Sequence, residues 1–300
     1  MLNFYFNNAN YLWINNEFVE WKTANVHLMT HSLHYASSVF EGIRTYNGKA
    51  FKLEEHIDRL FASAQQLMMS VKYSKSDIIM ACKALVEKNN LKNAYIRPLI
   101  WKGAESSRLI SPLLSTNVML AAWEIPKRIQ QPMNLCFSNW INIPPQTIPI
   151  QCKSGGRYTT MIISKTESEN QGFDDAILLD WRGYISEATT SNIFFVAHDK
   201  IITPIADACL NGITRQTVFA IAKKLGIIAE EQYIKPECLI DYQACFLVGT
   251  SIEIREVNVI NFTALKNHNL QVEKIYDHNN SVTSVIKNYY NRLVNAEEDI

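Results

Sequence analysis

Apolar and polar residues alternate with a period of two in two places near the start of the chain. Tyr11–Ile14 and Glu17–Val19 flank Asn15-Asn16, and a second stretch, 40–46, resumes after Asn47-Gly48. Asparagine and glycine tolerate the positive φ angles that two-residue hairpin loops require. The pattern therefore predicts two β-hairpins.

Further along, apolar residues recur at intervals of three and four, which places them on one side of a helix. This spacing predicts helices over 53–68, 77–88, 158–169, 214–225 and 282–294. Short apolar runs bounded by turn residues predict strands over 94–101, 118–123, 135–137, 176–179, 184–186, 193–196 and 201–202. Because helices and hairpins mix in both halves, the predicted fold class is α+β, a mixed α/β fold, rather than a doubly wound parallel sheet.

A polar segment with two prolines, Glu124–Pro132, separates the two halves. Such segments are typical of interdomain linkers. The prediction is a small N-terminal α/β domain over 1–124, a linker over 125–132 and a larger C-terminal domain over 133–300.

Composition narrows the class of partner. The 300 residues are 47% hydrophobic and carry 29 basic and 29 acidic side chains, so the net charge is zero. A balanced chain lacks the basic footprint of nucleic-acid or membrane-surface binding, which favours a small-molecule substrate. The six cysteines form no CxxC pair, and the first residues lack the basic and apolar regions of a leader. A cytoplasmic protein with free thiols is expected.

One lysine stands immediately before a flexible turn. Lys153 precedes Ser154-Gly155-Gly156, where two glycines let the backbone approach another group closely. A nucleophilic lysine needs such a sheltered place. Taken locally, however, a solvated lysine beside a glycine turn is the commoner arrangement.

Three further segments suit an anionic or cationic ligand. Glu187 ends a short apolar strand, and a buried carboxylate there would need a cationic partner such as a protonated ring nitrogen. Gly212 precedes a helix that Thr214 is able to cap, which makes a potential anion site. Gly249-Thr250-Ser251 ends an apolar strand and offers hydroxyl groups. An exposed turn, a plain capped helix and a strand-end turn are the ordinary alternatives.

Tyr95 and Arg97 lie on the same face of a predicted strand, where a hydroxyl beside a guanidinium suits a carboxylate. A surface ion pair is the alternative. His27, His31 and His34 lie close together, but no Glu or Cys completes a known ligand pattern, so no metal is expected.

The order of these segments along the chain resembles that of the class IV aminotransferases, and within that class most closely the branched-chain amino acid group. The resemblance runs from about Trp13 to Val257. It rests on His34–Arg44, Glu55–Leu60, Ala94–Pro98, Lys153–Tyr158, Tyr184–Glu187, Gly212–Arg215 and Gly249-Thr250.

The resemblance implies the two-domain class IV fold, also called D-amino-acid aminotransferase-like, with the active site at the domain interface. It implies pyridoxal 5′-phosphate as cofactor, bound to Lys153 as a Schiff base, with Lys153 also moving the substrate proton. Glu187 would pair with the ring nitrogen and Tyr158 with the ring oxygen. The implied phosphate ligands are Arg59, Gly212, Ile213, Thr214 and Thr250.

On the substrate side, the resemblance implies that Tyr95 and the backbone near Thr250 and Ser251 take the α-carboxylate. Arg97 would meet the side-chain carboxylate of glutamate, and Tyr35 and Phe40 would wall an apolar pocket. The implied reaction moves the amino group of L-leucine, L-isoleucine or L-valine to 2-oxoglutarate, as in amino-acid biosynthesis. A homodimer or an assembly of dimers is also implied.

Several positions depart from the branched-chain pattern. Thr189–Ser191 replaces a glycine-rich run, Pro126 falls where a substrate-wall tyrosine is expected, and Glu256 falls where a proline is usual. The first of these is closer to the D-amino-acid aminotransferases and the aminodeoxychorismate lyases. Those two class IV activities are therefore the alternative.

Overall fold

The structure, a computed structural model, describes residues 6, 8–126, 130–265 and 272–298. Its chain separates into two compact units, Met1–Arg128 with Cys152–Gly156, and Ile129–Gln151 with Arg157–Ile300. The predicted domain limits stay a prediction, and residues 127–129 of the predicted linker lie outside the described ranges. The segment Cys152–Gly156 packs with the first unit, although it follows the predicted linker in sequence.

An antiparallel sheet forms the frame of the first unit. Within the described residues it has seven strands in the order β2-β1-β7-β6-β4-β5, and β3 pairs with β6. The strands are β1 (Tyr11–Ile14), β2 (Glu17–Glu20), β3 (Ser38–Phe40), β4 (Ile43–Tyr46), β5 (Lys49–Ala50), β6 (Ala94–Lys102) and β7 (Thr116–Glu124).

In the described part of the first unit, this sheet is accompanied by the α-helices α1 (His31–Tyr35), α2 (Leu53–Gln66) and α3 (Lys75–Lys88). The apolar residues that predicted α2 are buried in the core of the unit together with the inner face of α3. Ser74 caps α3 in a reciprocal pair with Asp77, which satisfies backbone donors that the first turn leaves unpaired. Both predicted helices are thereby confirmed.

The two predicted hairpins are present, with one difference. Asn15 and Asn16 both have positive φ between β1 and β2, as do Asn47 and Gly48 between β4 and β5. The predicted strand 40–46 is interrupted at Glu41-Gly42, so β3 and β4 are separate strands. The interruption turns the Glu41 side chain into the core, where it is fully buried.

A mixed sheet forms the frame of the second unit. Among the described residues it has nine strands in the order β10-β9-β8-β15-β14-β11-β12-β13, and β16 pairs with β15. Three of the pairs are parallel: β8 with β9, β8 with β15, and β12 with β13. The strands are β8 (Met133–Ile141), β9 (Asp175–Leu179), β10 (Ile185–Ala188), β11 (Asn192–Ala197), β12 (Lys200–Pro204), β13 (Ile228–Gln232), β14 (Ala244–Gly249), β15 (Glu253–Asn261) and β16 (Glu273–Ile275).

The helices of the second unit are α4 (Tyr158–Asn170), α5 (Ile213–Leu225) and α6 (Ser281–Val294). Glu256, one of the departures from the family pattern, has a structural role here. Its carboxylate accepts hydrogen bonds of 2.8 and 2.6 Å from Lys287 and so fastens α6 to β15. No helix in the described ranges combines the length and apolar composition that crossing a membrane requires.

Candidate active site

A fully buried carboxylate organises one end of helix α2. Glu41 accepts from Arg59 through Nε at 2.6 Å and Nη2 at 2.9 Å, and from Nδ1 of His56 at 2.8 Å. Burial alone would raise the pKa of Glu41, but the charge of Arg59 and these hydrogen bonds hold that pKa well below its usual range. Burial lowers the pKa of His56 in spite of the adjacent carboxylate. A neutral His56 that donates through Nδ1 follows.

The segment that carries Lys153 is fastened to the same unit by backbone contacts. The carbonyl of Lys153 accepts from the Phe40 N–H at 3.1 Å, and its own N–H donates to Oγ of Ser63 at 3.0 Å. Ser154 forms a β-bridge with Val39. Lys153 is half-buried, and its Nζ lies 5.1 Å from the centre of the Phe40 ring. The lysine is therefore held between β3 and α2, unlike a solvated lysine on a mobile turn.

The guanidinium of Arg97 also lies close to the ring of Phe40. The guanidinium carbon of Arg97 lies 4.8 Å from the Phe40 ring centre and 5.4 Å from that of Tyr95, and Nη2 lies 3.5 Å from the Tyr95 hydroxyl. Nε of Arg97 is buried, with no hydrogen-bond partner in the described structure. Phe40, Tyr95, Arg97 and Lys153 thus form one cluster with apolar rings and two positive groups.

Gly42 is required for this cluster to form. A Cβ atom at Gly42 would lie 1.8 Å from the Tyr95 hydroxyl, a distance that no side chain tolerates. Because Gly42 follows Glu41 directly, the same turn places the buried carboxylate and admits the tyrosine. The Tyr95 ring also packs against Trp123, at 5.1 Å between ring centres.

Tyr35, predicted to wall the substrate pocket, has contacts of another kind. Its hydroxyl donates to the Ser107 carbonyl at 3.3 Å, its ring lies 4.6 Å from that of His31, and 48% of the residue is exposed. Its place in the pocket stays a prediction. Pro126, where a wall tyrosine was expected, is exposed just beyond β7.

In the second unit, Glu187 lies buried at β10 with two donors on one oxygen. Its Oε1 accepts from Nδ2 of Asn142 at 2.9 Å and from Nη2 of Arg157 at 3.2 Å. The Asn142 amide nitrogen, which carries two hydrogens, also lies within hydrogen-bond distance of the Ser186 hydroxyl, at 2.9 Å, and the Ala208 carbonyl, at 3.0 Å. Both partners of Oε1 are donors, so they stabilise a carboxylate at this position. Tyr158 begins α4 directly after Arg157 and is half-buried.

The helix predicted after Gly212 is present, but its cap differs from the prediction. The helix begins at Ile213, and Gly212 takes the N-cap position without a side-chain cap. The expectation that Thr214 caps the helix was wrong, because Thr214 lies inside the first turn, where it is buried. Without a side-chain cap, the first N–H groups of α5 are donors of the kind that suits an anion.

Two side chains fix the approach to that helix. Asn192 donates to the Leu210 carbonyl at 2.8 Å, and a Cβ atom at Gly212 would lie 2.2 Å from its Oδ1. Gln151 accepts from the Asn211 N–H at 2.9 Å and donates to the carbonyls of Ala206 and Cys209. The loop before α5 is therefore held in one conformation.

The end of β14 and the departure at Thr189–Ser191 lie close together. Thr250 is half-buried and Ser251 is exposed. Ser191 has a buried hydroxyl with no hydrogen-bond partner among the described residues, 3.5 Å from where a Cβ atom of Gly249 would lie. Thr189 donates to the buried carboxylate of Asp175, whose pKa burial raises. Thr189, within the segment that stands in place of the glycine-rich run, thus makes a specific polar contact.

These groups fit the phosphate and ring of pyridoxal phosphate. The uncapped start of α5 and the buried Ser191 hydroxyl suit an anion, and Glu187, held by donors, suits a protonated ring nitrogen. The half-buried Lys153 suits a carbonyl carbon. A model of the amino-transferase class IV family matches residues 38–260. The chain belongs to the class IV aminotransferases.

Individual members of the family agree with this result. A probable branched-chain-amino-acid aminotransferase of Rickettsia bellii is 46% identical over 289 residues, which cover 96% of this chain and 97% of that protein. The structure of the branched-chain amino acid aminotransferase of Escherichia coli aligns with a TM-score of 0.87 at 35% identity, over 97% of this chain and 96% of that one. The PLP-form of the enzyme from Thermobaculum terrenum aligns with a TM-score of 0.86 at 28% identity, with the same coverage. The resemblance to the branched-chain group and the class IV fold are thereby confirmed.

Sequence reasoning missed the residues that support the predicted ones. Glu41, Asn142, Gln151 and Arg157 were not singled out, since none has a local pattern that distinguishes it from a surface residue. Glu41, Gly42 and Arg157 were within segments used for the family resemblance, and that resemblance was the available signal. Their roles follow from partners distant in sequence; Asn142 and Glu187, for example, are 45 positions apart.

Replacing Asn142 with alanine is expected to destabilise the full chain by about 2 kcal/mol, because a buried carboxylate and a buried carbonyl each lose a donor. Urea unfolding of the cofactor-free protein measures this. Asn139→Ala is the matched control, since Asn139 is exposed, and its loss is expected to cost less than about 0.5 kcal/mol. Equal losses for the two variants would contradict the support role of Asn142.

Proposed function

We propose that this class IV enzyme transfers the amino group of L-leucine, L-isoleucine or L-valine to 2-oxoglutarate, using pyridoxal 5′-phosphate bound through Lys153. The observation that carries the proposal is the cluster of Phe40, Tyr95, Arg97 and Lys153, in which an apolar ring lies beside two cations. The relatives named branched-chain-amino-acid aminotransferase support the substrate class.

The bound cofactor would supply an electron sink for negative charge at the substrate Cα. Lys153 would hold the cofactor and move the proton at Cα through its amine. Glu187 would keep the ring nitrogen protonated, since donors on Oε1 stabilise its carboxylate. Tyr158 would donate to the ring oxygen. The phosphate would be bound by Arg59, Gly212, Ile213, Thr214 and Thr250.

Dual substrate specificity follows from the composition of the Phe40 cluster. The ring of Phe40 suits a branched aliphatic side chain, whereas the glutamate side chain needs a cation. Arg97 provides that cation, and its buried Nε without a described partner supports a role in binding a carboxylate. Tyr95, Thr250 and Ser251 would take the α-carboxylate, and Tyr35 would line the apolar side.

The alternative class IV activities, a D-amino-acid aminotransferase or an aminodeoxychorismate lyase, are not favoured. The similar proteins over nearly the full chain are named for branched-chain amino acids. The Thr189–Ser191 departure that suggested the alternative has a structural account in the contact between Thr189 and Asp175.

A homodimer, or an assembly of dimers, is also part of the proposal. Two adjoining segments of the first unit expose large apolar side chains and are linked by hydrogen bonds from His31 to Gly103 and from Tyr35 to Ser107. Such exposed apolar surface is typical of a subunit interface. We name this surface the apolar rim; it consists of Val26, Leu28, Met29, Leu33, Leu109, Ile110 and Leu113. The cytoplasmic location expected from the sequence accords with the six free cysteines.

The first test locates the cofactor. Borohydride reduction of the holo-protein, followed by peptide mass mapping, is expected to find a pyridoxyl group on Lys153. Lys153→Ala is expected to lower kcat by at least about 10²-fold, because the proton-transfer group is lost. Lys75→Ala is the control, since Lys75 is exposed and its ion pair with Asp58 lies at the surface. A pyridoxyl group on another lysine refutes the assignment, and bleaching of the cofactor band by D-alanine but not by L-leucine refutes the substrate class.

The second test separates the two substrates. Arg97→Met keeps an unbranched apolar stem in place of the first part of the side chain and removes the charged guanidinium. The half-reaction with glutamate is expected to lose about 10- to 100-fold in kcat/KM, the worth of a hydrogen bond between charged groups. The half-reaction with L-leucine is expected to change less than about threefold, because a leucine side chain makes no such bond. Stopped-flow measurement of both half-reactions gives the two values of kcat/KM. An equal loss of kcat/KM for both substrates would show that Arg97 has no selective role.

The third test concerns assembly. Ile110→Glu places a charge in the apolar rim, at a side chain that is 86% exposed. The variant is expected to become monomeric in light scattering after size exclusion, because an interface would have to bury the new charge. Met68→Glu, at a side chain that is 92% exposed but outside the rim, is the control and is expected to stay dimeric. A monomeric wild-type protein would rule out the proposed dimer.

A further inference from the structure

The buried carboxylate of Glu41, in the turn between β3 and β4, accepts hydrogen bonds from three residues. Besides Arg59 and His56, its Oε2 accepts from the backbone N–H of Gly42 at 3.2 Å. The side chain has no exposed surface, and that of Arg59 is only 16% exposed. Every one of these contacts lies within the first unit.

Stability is a poor explanation for such a pair. Removing two charges from water has a large desolvation cost, and buried ion pairs are on average no more stabilising than apolar side chains of similar size. Geometry is a better explanation. Glu41 accepts from Nε and Nη2 together, a bidentate arrangement that fixes the plane of the guanidinium. The remaining N–H groups of Arg59 then point away from Glu41.

Helix α2 relates this pair to the cofactor lysine. His56, Arg59 and Ser63 are spaced three and four residues apart, which places them on one side of the helix. His56 contacts Glu41, while Ser63 accepts from the backbone N–H of Lys153 at 3.0 Å. One face of one helix therefore locates both a predicted phosphate ligand and the predicted cofactor lysine.

We propose that Glu41 is a positioning residue that orients the Arg59 guanidinium for the phosphate group of the cofactor, and that His56 in turn holds the Glu41 carboxylate. The inference rests on the proposed function, because Arg59 meets a phosphate only when the cofactor binds. The proposal predicts that Glu41 strengthens phosphate binding, although its negative charge by itself would weaken that binding. A negative group beside Arg59 weakens attraction to phosphate by Coulomb's law, so its benefit comes from orientation.

The difference in sign gives a test with Glu41→Gln, which removes the charge and keeps the shape. Full-length protein is stripped of cofactor with hydroxylamine and titrated with pyridoxal 5′-phosphate and, separately, with pyridoxal, which lacks the phosphate. We expect the variant to bind pyridoxal 5′-phosphate about 10-fold more weakly, within the range for a hydrogen bond to a charged group. Pyridoxal binding is expected to change less than about twofold.

The outcomes separate orientation from charge and from general damage. Unchanged or tighter binding of pyridoxal 5′-phosphate overturns the proposal, as does an equal loss for pyridoxal, which would indicate a merely structural role. In an Arg59→Met background, Glu41→Gln is expected to have no further effect on the ratio of the two affinities. A further loss there contradicts action through Arg59.

Variants of His56 keep the test decisive if Glu41→Gln does not fold. His56→Ala is expected to lower the affinity for pyridoxal 5′-phosphate selectively, and His56→Asn, whose amide can donate as Nδ1 does, is expected to restore it. Equal affinities for the two variants would overturn the role of His56. Failure of the wild-type protein to bind pyridoxal 5′-phosphate in preference to pyridoxal would instead overturn the proposed function itself.

Discussion

The requirement that buried charges be paired is the constraint on which this structure depends. Glu41 is paired with Arg59 in the first unit, and Glu187 is paired with Arg157 in the second. A buried carboxylate without such a partner would be costly. In each pair the partner is an arginine, whose planar group fixes direction as well as charge. The groups proposed to bind the cofactor ring and phosphate are therefore held in position by the protein itself.

Within each unit, short backbone segments hold the proposed ligands in position. The turn at Glu41-Gly42 buries a carboxylate and admits Tyr95, and Lys153 is tied to Phe40 and Ser63 through its own peptide groups. In the second unit, Gln151 and Asn192 hold the loop that leads into α5. The proposed ligands thus have little freedom to lose when a cofactor binds, which favours affinity.

Two of the departures from the branched-chain pattern make specific contacts with residues that are not proposed to bind substrate. Glu256 bonds to Lys287, and Thr189 bonds to Asp175, so both have a structural explanation within the second unit. Arg97, by contrast, retains a buried nitrogen without a described partner, and it lies over Phe40. The proposed specificity determinant therefore lies in the first unit, and the departures at Glu256 and Thr189 do not weigh against the proposed substrate class.

Local patterns were sufficient for most of the helices, for both hairpins and for the family. The periodicity of two and the Asn-Asn and Asn-Gly pairs determined the hairpins, the spacing of three and four determined α2 to α6, and the order of motifs determined class IV membership. Strands such as β13, with the sequence IAEEQ, were missed because their polar residues give no alternating pattern.

Only the tertiary structure decided which side chains meet. Glu41 and Arg59 are 18 residues apart, and Asn142 and Glu187 are 45 apart. Cys152–Gly156 joins the first unit although the residues on both sides belong to the second. Periodicity reports the local environment of a residue, whereas the pairing of a buried charge depends on partners brought together by the whole fold. The order of motifs was therefore enough to predict Lys153 as the cofactor lysine, but not to find the residues that hold its surroundings in place.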